Sequence, residues 1–339
     1  MIIPYRTSRI LRRCAITLLA VTVAAVLIWA LWFLWLGRFV VYTRQSGAVL
    51  NFNQTMQFGP GQVGTPPKKE PVEIYFNEGE NAVNTSTELA QMTGYYIDTE
   101  ALTGNLDEIR SQLQLLPAET PVMLDVKSIY GNFYYSSHVS DKRASNIDPA
   151  AIDALIEYMA SKNLYMIARL PALRDYHYGL HHVPDGLPTK GGYLWMDDDY
   201  CYWLNPSSQG TITYLRDIIA ELKGLGFDEV VLYDFYFPDT SEIVFNSDKT
   251  QALTDAAKTL VDTCSDKTFA VSFVRQAGEF THPEGRSRMY LEGVSAGSAA
   301  AIAQQSGLAD PSVYLVFLTE VHDTRFDAYS VLRPIAGAH

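Results

Sequence analysis

The chain has 339 residues, 47% of them hydrophobic and 19% charged, with 22 Gly, 16 Pro and 3 Cys, which excludes collagen-like, low-complexity and disulfide-scaffold classes. The net charge of −12 is unevenly spread, because residues 1–44 hold six Arg and no acidic residue and so leave 20 of the 26 cations against all 38 anions. A body this acidic is not expected to bind nucleic acid.

Residues 14–36, CAITLLAVTVAAVLIWALWFLWL, carry no charge. As a helix rising ~1.5 Å per residue, a run of this length crosses the ~30 Å apolar core of a bilayer. It continues into Arg38 without a small-x-small cleavage pattern, so it reads as an uncleaved anchor and not as a secretory signal. Arg6, Arg9, Arg12 and Arg13 precede it, while only Arg38 and Arg44 follow closely. The positive-inside bias then predicts a single-pass protein of the cell membrane, with a cytoplasmic N-terminus and an extracytoplasmic C-terminal domain. Trp29, Trp32 and Trp35 gather at the far end like an interfacial belt. The expected organisation is a cytoplasmic tip and transmembrane anchor over residues 1–44, a flexible linker over 45–70, rich in Gly, Pro, Gln and Asn, and one folded domain over 71–339.

Beyond the linker, short apolar runs alternate with amphipathic stretches. The expected strands are Tyr95–Thr99, Val122–Lys127, Tyr165–Pro171, Val230–Phe237, Phe269–Val274, Met289–Val294, Val313–Thr319 and Phe326–Leu332. Helical patterns fall at Leu106–Leu116, Pro149–Lys162, Ile212–Leu225, Gln251–Cys264 and Ser298–Gln305. Strands separated by helices imply a parallel sheet. Eight such units in this length fit a (βα)8 TIM-type barrel better than an open dinucleotide-binding sheet, whose GxGxxG turn is absent after the first strand. No cofactor is expected. Cys201 and Cys264 read as separate thiols, and no zinc-ligand spacing occurs.

The segment Leu173–Asn205 is expected to be an elaborated loop over the catalytic face, with a small hairpin of Tyr193–Met196 and Tyr200–Leu204 across the acidic turn Asp197–Asp199. Its aromatics Tyr176, Tyr178, Tyr193, Trp195, Tyr202 and Trp203 suit either stacking on sugar rings or packing the loop down. His177 and His181 stand at i, i+4 but are separated by Gly179 and followed by Pro184, which argues against a helical metal site there.

Side chains on a barrel strand alternate between the interior and the helices. Parity puts Met123 inside with Asp125 above it, followed by Lys127, and puts Tyr165 and Ile167 below Arg169. An inward Asp234 stacks on Leu232 and Val230 by the same rule. Glu292 follows Tyr290, and Glu320 follows Val316 and Leu318. These polar tips fall at C-terminal strand ends, where barrel enzymes place their chemistry. Arg169 beside Asp234 favours an ionised carboxylate, and burial of Glu320 would suit a general acid.

The runs VMLDVKS (122–128), YMIARLPAL (165–173), YWLNP (202–206) and LGFDEVVLYDFYFPDT (225–240) resemble successive strand ends of a bacterial glycoside hydrolase domain family, over about Gly94 to Thr240. Asn205 stands where that family usually has Asp. The resemblance implies an α/β barrel in an envelope protein, acting on a polysaccharide or cell-wall glycan.

Together these features predict a membrane-anchored glycoside hydrolase. Asp234 is its principal catalytic carboxylate, Glu320 or Asp125 its partner, Arg169 its electrostatic support, and Tyr236, Trp195, Tyr233 and Lys127 its substrate contacts. Two alternatives remain open: a barrel that binds glycans without cleaving them, and an esterase built on Ser295 of GVSAG with a His such as His322.

Overall fold

The computed structural model describes residues 88–275 and 280–335, together with the backbone of the strands Val40–Thr43 and Gly47–Leu50. Two units divide the chain, residues 1–81 and 82–339. In the first, the two short strands pair antiparallel. The expected anchor at 14–36 and most of the expected linker lie outside the described residues, among which no helix is long and apolar enough to cross a membrane.

In the second unit, eight strands form a closed barrel: β1 (Thr93–Ile97), β2 (Pro121–Asp125), β3 (Tyr165–Pro171), β4 (Glu229–Tyr233), β5 (Ala270–Val274), β6 (Met289–Glu292), β7 (Leu315–Leu318) and β8 (Ser330–Pro334). Each is parallel to the next, and β8 closes onto β1 through the register Arg333↔Tyr95. This is the TIM-type architecture that the strand-helix alternation predicts. The main outer helices are α1 (Thr99–Thr103), α2 (Leu106–Leu115), α3 (Pro149–Ser161), α4 (Tyr176–His181), α5 (Gln209–Gly224), α6 (Lys249–Cys264), α7 (Ala299–Gln305) and α8 (Pro311–Tyr314). The first six begin on capping side chains: Asp98, Asn105, Asp148, Asp175, Ser208 and Asp248 each accept from an otherwise orphaned backbone N–H, a contact worth about 1 kcal/mol.

Two apolar layers follow from strand alternation. Met123, Ile167, Val231, Tyr290, Val316 and Leu332 fill the barrel interior, whereas Val122, Leu124, Val230, Leu232 and Val271 pack outward against the helices. Near the N-terminal end of β4, Glu229 is fully buried and accepts from Arg288, Ser272, Tyr165 and Tyr290. That set satisfies a charge which would otherwise be costly inside a low-dielectric core.

Most strand boundaries shift by one to four residues from the sequence pattern, and three of the shifts have a local cause. Strand β4 stops at Tyr233 and not at Phe237, because Asp234 adopts φ 50°. Strand β7 starts late because Asp310 caps a turn of helix with Pro311 at its first position. Strand β8 starts at Ser330, after a 3-10 turn at Thr324–Phe326.

Candidate active site

The C-terminal ends of β2, β3 and β6 meet around one guanidinium. Arg169 donates from Nη1 to Asp125 Oδ1 at 2.9 Å and from Nη2 to Glu292 Oε1 at 2.7 Å. Its cation lies 4.4 Å from the centroid of the Tyr233 ring. Burial works against the charge on Arg169, but the two carboxylates outweigh it and raise its proton affinity. Asp125 is further fixed through Oδ2 by the backbone N–H and the hydroxyl of Thr99, at 3.0 and 2.9 Å. Three of its roughly four accepting directions are therefore taken, and its side chain is only 7% exposed. The Glu292 side chain is 40% exposed and among the described residues accepts from Arg169 alone, so one face of that carboxylate is open.

Asp234 enters this rim differently from the strand-parity expectation. In β4 it is Val231, not Leu232 or Val230, that points into the barrel. Simple alternation would therefore turn Asp234 towards the helices. The left-handed backbone at Asp234 breaks the alternation, in a conformation that Asp and Asn tolerate better than most residues. Its Oδ2 lies 3.9 Å from Arg174 Nη1, and its side chain is 17% exposed. Burial pushes the Asp234 carboxyl up to about 6; Arg174 and Arg169 pull against that shift, while Glu292 and Asp197 add to it.

Arg174 is held in turn by the hairpin of the long β3 loop. Its Nε donates to Asp197 Oδ2 at 2.6 Å and its Nη2 to Asp199. Asp197 also accepts from Trp203 Nε1 at 2.8 Å and from the Cys201 backbone at 2.9 Å. Desolvation disfavours its charge, but these donors prevail and hold its carboxyl below the usual range. The expected hairpin is present, with Met196 bridged to Tyr202.

A cavity of about 520 Å³ opens beside this cluster, with Asp125, Arg169 and Glu292 in its wall together with Tyr96, Thr319 and Glu320. That volume is within the range of small-ligand sites. Glu320 stands at the rim and is exposed, so the burial expected to suit it as an acid is missing. Lys127 is not a surface contact: it is 1% exposed and paired with the equally buried Asp175 at 2.7 Å, because the chain folds over it after β2. Tyr233 serves as the stacking floor for Arg169. Tyr236 sits edge-on to Trp203 at 4.9 Å, and Trp195 donates to Glu242 at 3.2 Å; both remain half-buried. Of the other loop aromatics, Tyr178 stacks between Tyr214 and His182, Tyr176 stacks on Tyr202, and Tyr193 is exposed. Packing the loop down therefore accounts for four of the six, Tyr176, Tyr178, Tyr202 and Trp203.

Several readings outside the carboxylate rim are resolved by the same geometry. The segment around His177 and His181 is helical after all: Asp175 caps α4, and Gly179 fits because a Cβ there would meet Tyr202 Cβ at 2.5 Å. No group of three or more His, Cys, Asp or Glu among the described residues converges as a metal site. Ser295 shares a hydrogen bond with Ser298 at 2.8 Å, and among the described residues it meets no histidine, so no esterase geometry forms among them. Cys201 and Cys264 are separate free thiols. Glu292 and Arg174 are the residues that strand patterning undervalued. Glu292 has the same parity signal as Glu320, whereas Arg174 lies in a loop where spacing predicts nothing.

An eight-stranded parallel barrel with ionisable groups gathered at its C-terminal rim is the architecture of a carbohydrate-active enzyme class, among others. Residues 94–279 match the family described as "Putative glycosyl hydrolase domain", and the chain belongs to that family. The match runs past Thr240, where the motif resemblance fades, but stops before Glu292. No curated protein matches. Among solved structures, α-L-fucosidase isoenzyme 2 from Paenibacillus thiaminolyticus is 11% identical with a TM-score of 0.51, covering 72% of this chain and 46% of that one. The glycoside hydrolase domain of PelA from Pseudomonas aeruginosa is 12% identical with a TM-score of 0.41, covering 74% and 97%. A hypothetical protein from Ruminiclostridium thermocellum ATCC 27405 is 18% identical with a TM-score of 0.45, covering 52% and 96%. The chain thus spans about half the length of the fucosidase, and at these identities the likeness concerns the fold alone.

Proposed function

We propose that the barrel hydrolyses a glycosidic bond, with Asp234 as the proton donor to the leaving oxygen and Glu292 as the ionised carboxylate on the opposite side of the sugar. Glycoside hydrolysis needs one protonated and one ionised carboxyl group flanking the scissile bond. The observation that carries the reading is Asp234: a strand-end carboxyl in left-handed backbone, shielded from water, with a proton affinity raised to about 6. A carboxyl of that affinity is suited to acid catalysis near neutral pH. Arg169 places its cation between Glu292 and Asp125. Asp125 is buried, has three of its roughly four accepting directions taken by Arg169 and Thr99, and acts as the fixed counter-ion that orients Arg169. Half-buried Tyr236 and Trp195 supply apolar faces for sugar rings.

The assay is reducing-end release by the full chain from a panel of bacterial cell-envelope polysaccharides. Asp234→Asn and Glu292→Gln should each lower turnover by roughly 10²-fold or more while glycan binding changes only a few-fold. Unchanged turnover in either variant removes that residue from the mechanism. Binding without any release by the wild type would support a glycan-binding barrel instead. The uncharged run 14–36 and its Arg-rich N-terminal flank support an extracytoplasmic location for this activity. Protease added to intact cells should then degrade the barrel, and its survival would reverse the topology.

A further inference from the structure

We infer that Arg174 is a positioning residue divided between the hairpin of the long β3 loop and Asp234, and that the hairpin, by holding two of its three side-chain nitrogens, leaves the Asp234 carboxyl free to carry a proton. The inference rests on the glycoside hydrolase reading and deepens it by naming what regulates the acid of that site.

The backbone places the two side chains together. Beyond the paired residues Pro171 and Tyr233, the chain leaving β3 continues along the end of β4, where Ala172 donates to the Tyr233 carbonyl at 2.8 Å and Leu173 to that of Asp234 at 3.3 Å. On the other side, the Leu173 carbonyl accepts from the Leu204 N–H at 2.6 Å, and the Asp175 N–H donates to the Tyr202 carbonyl at 3.0 Å. Arg174 itself is bridged antiparallel to Trp203. The stretch 172–175 is thus laced to β4 on one edge and to the hairpin on the other, with Arg174 between them.

The division of its guanidinium follows from distance. Nε is 2.6 Å from Asp197 Oδ2 and Nη2 is bonded to Asp199, whereas Nη1 stands 3.9 Å from Asp234 Oδ2. A charge-assisted N–H···O bond is ~2.7–2.9 Å long, so this last contact is an attraction without a bond. Asp197 cannot readily turn away, because Trp203 Nε1 and the backbone N–H groups of Asp199 and Cys201 fix it at 2.8, 3.0 and 2.9 Å. A guanidinium given over to Asp234 would favour its ionised form about 10- to 1000-fold and spoil it as an acid; one removed altogether would leave burial with less to oppose it. The other charges facing Asp234 are Arg169 from β3, which favours ionisation, and Glu292 from β6 and Asp197 from the hairpin, which oppose it. Tyr233, beside it in the chain, stays neutral because burial raises its hydroxyl. Of the two cations Arg174 acts the more strongly, and its Asp199 anchor is 63% exposed, so that anchor can be replaced without disturbing a packed core.

The test compares the full chain with Arg174→Met, Asp199→Asn and the double variant, each with and without Asp234→Asn, by thermal melts from about pH 4 to 8. The melting difference made by Asp234→Asn grows until Asp234 is fully ionised, so the pH at which it levels off reports that carboxyl without any need for turnover. This pH should rise by about half a pH unit or more in Arg174→Met and fall by about as much in Asp199→Asn. In the double variant it should match Arg174→Met, because Asp199 acts through Arg174. The wild-type value in either single variant, a shift in the same direction in both, or an Asp199→Asn shift that persists in the double variant overturns the inference. Should Arg174→Met fail to fold, the presence or absence of the Asp199→Asn shift decides alone. The alkaline limb of kcat/KM for glycan cleavage should move in the same order. Melting shifts as expected, beside absent cleavage or a limb that stays put, would sustain the role of Arg174 while refuting Asp234 as the acid. Cleavage that needs Asp234, without any melting shift, would do the reverse.

Discussion

Replacing Asp234 by Asn should make the protein more stable at neutral pH. The carboxyl goes from an ordinary value of 3.8 to about 6 on folding, chiefly because it is withdrawn from water. Two units at ~1.36 kcal/mol each make the charged form about 3 kcal/mol harder to hold in the folded barrel than in the unfolded chain. The folded state binds more protons between pH 4 and 6, so stability falls as pH rises through that window and then levels off. Asn retains the side-chain shape and tolerates the φ of 50°. It removes the penalty, and the small attraction of Arg174 is already contained in the net shift. The expected gain is therefore up to about 3 kcal/mol at pH 7.5, or roughly 5–10 °C in melting temperature for a domain of this size. At pH 4 the gain should contract to about 0.5 kcal/mol. Thermal melts of both proteins at the two pH values give the answer. An Asn variant that melts lower than wild type at pH 7.5, or an offset independent of pH, would show that Asp234 is not a desolvated acid.

Other consequences concern the rim and its support. The kcat/KM for glycan cleavage should decline above about pH 6 as Asp234 loses its proton, and the decline should vanish in Asp234→Asn; a plateau to pH 8 argues for another acid. Arg169→Met leaves Asp125 and Glu292 facing each other without a cation, so turnover should drop at least about 100-fold, with Arg169→Lys recovering only part of it; full recovery by Lys would mean that the bidentate geometry is unimportant. Lys127→Met strands the buried Asp175 charge and should cost about 3–5 kcal/mol in denaturant unfolding. A loss below 1 kcal/mol would show that the pair contributes little.

Which parts of this arrangement can be read from sequence depends on how local their cause is. The barrel was legible because Val, Ile, Leu and Tyr runs alternate with amphipathic stretches at spacings that only βα units produce. Asp125 and Arg169 were legible because they sit within regular strands, where alternation holds and β2 pairs Asp125 with Arg169 in register. Asp234 was found for an incomplete reason. Its neighbours Val230 and Leu232 face the helices, and a single left-handed residue, which no periodicity announces, brings it to the rim. The helix holding His177 and His181 was hidden by Gly179, which serves close packing against Tyr202 and not chain breaking. Lys127 looked like a strand-end contact because its burial depends on Asp175, which lies 48 positions further along the chain. Glu292 could not be separated from Glu320 until Arg169 was seen to reach one and not the other.

The assignment of Asp234 as proton donor is tested most directly by varying the leaving group. Departure of an alkyl-linked sugar needs a proton in the transition state, whereas 2,4-dinitrophenolate leaves without one. The Asp234→Asn variant should lose at least about 100-fold in kcat on an oligosaccharide that the wild type cleaves, yet stay within a few-fold of wild type on the 2,4-dinitrophenyl glycoside of the same sugar. Equal losses on the two substrates would make Asp234 a nucleophile or a structural residue, and the proposed division of labour with Glu292 would be wrong.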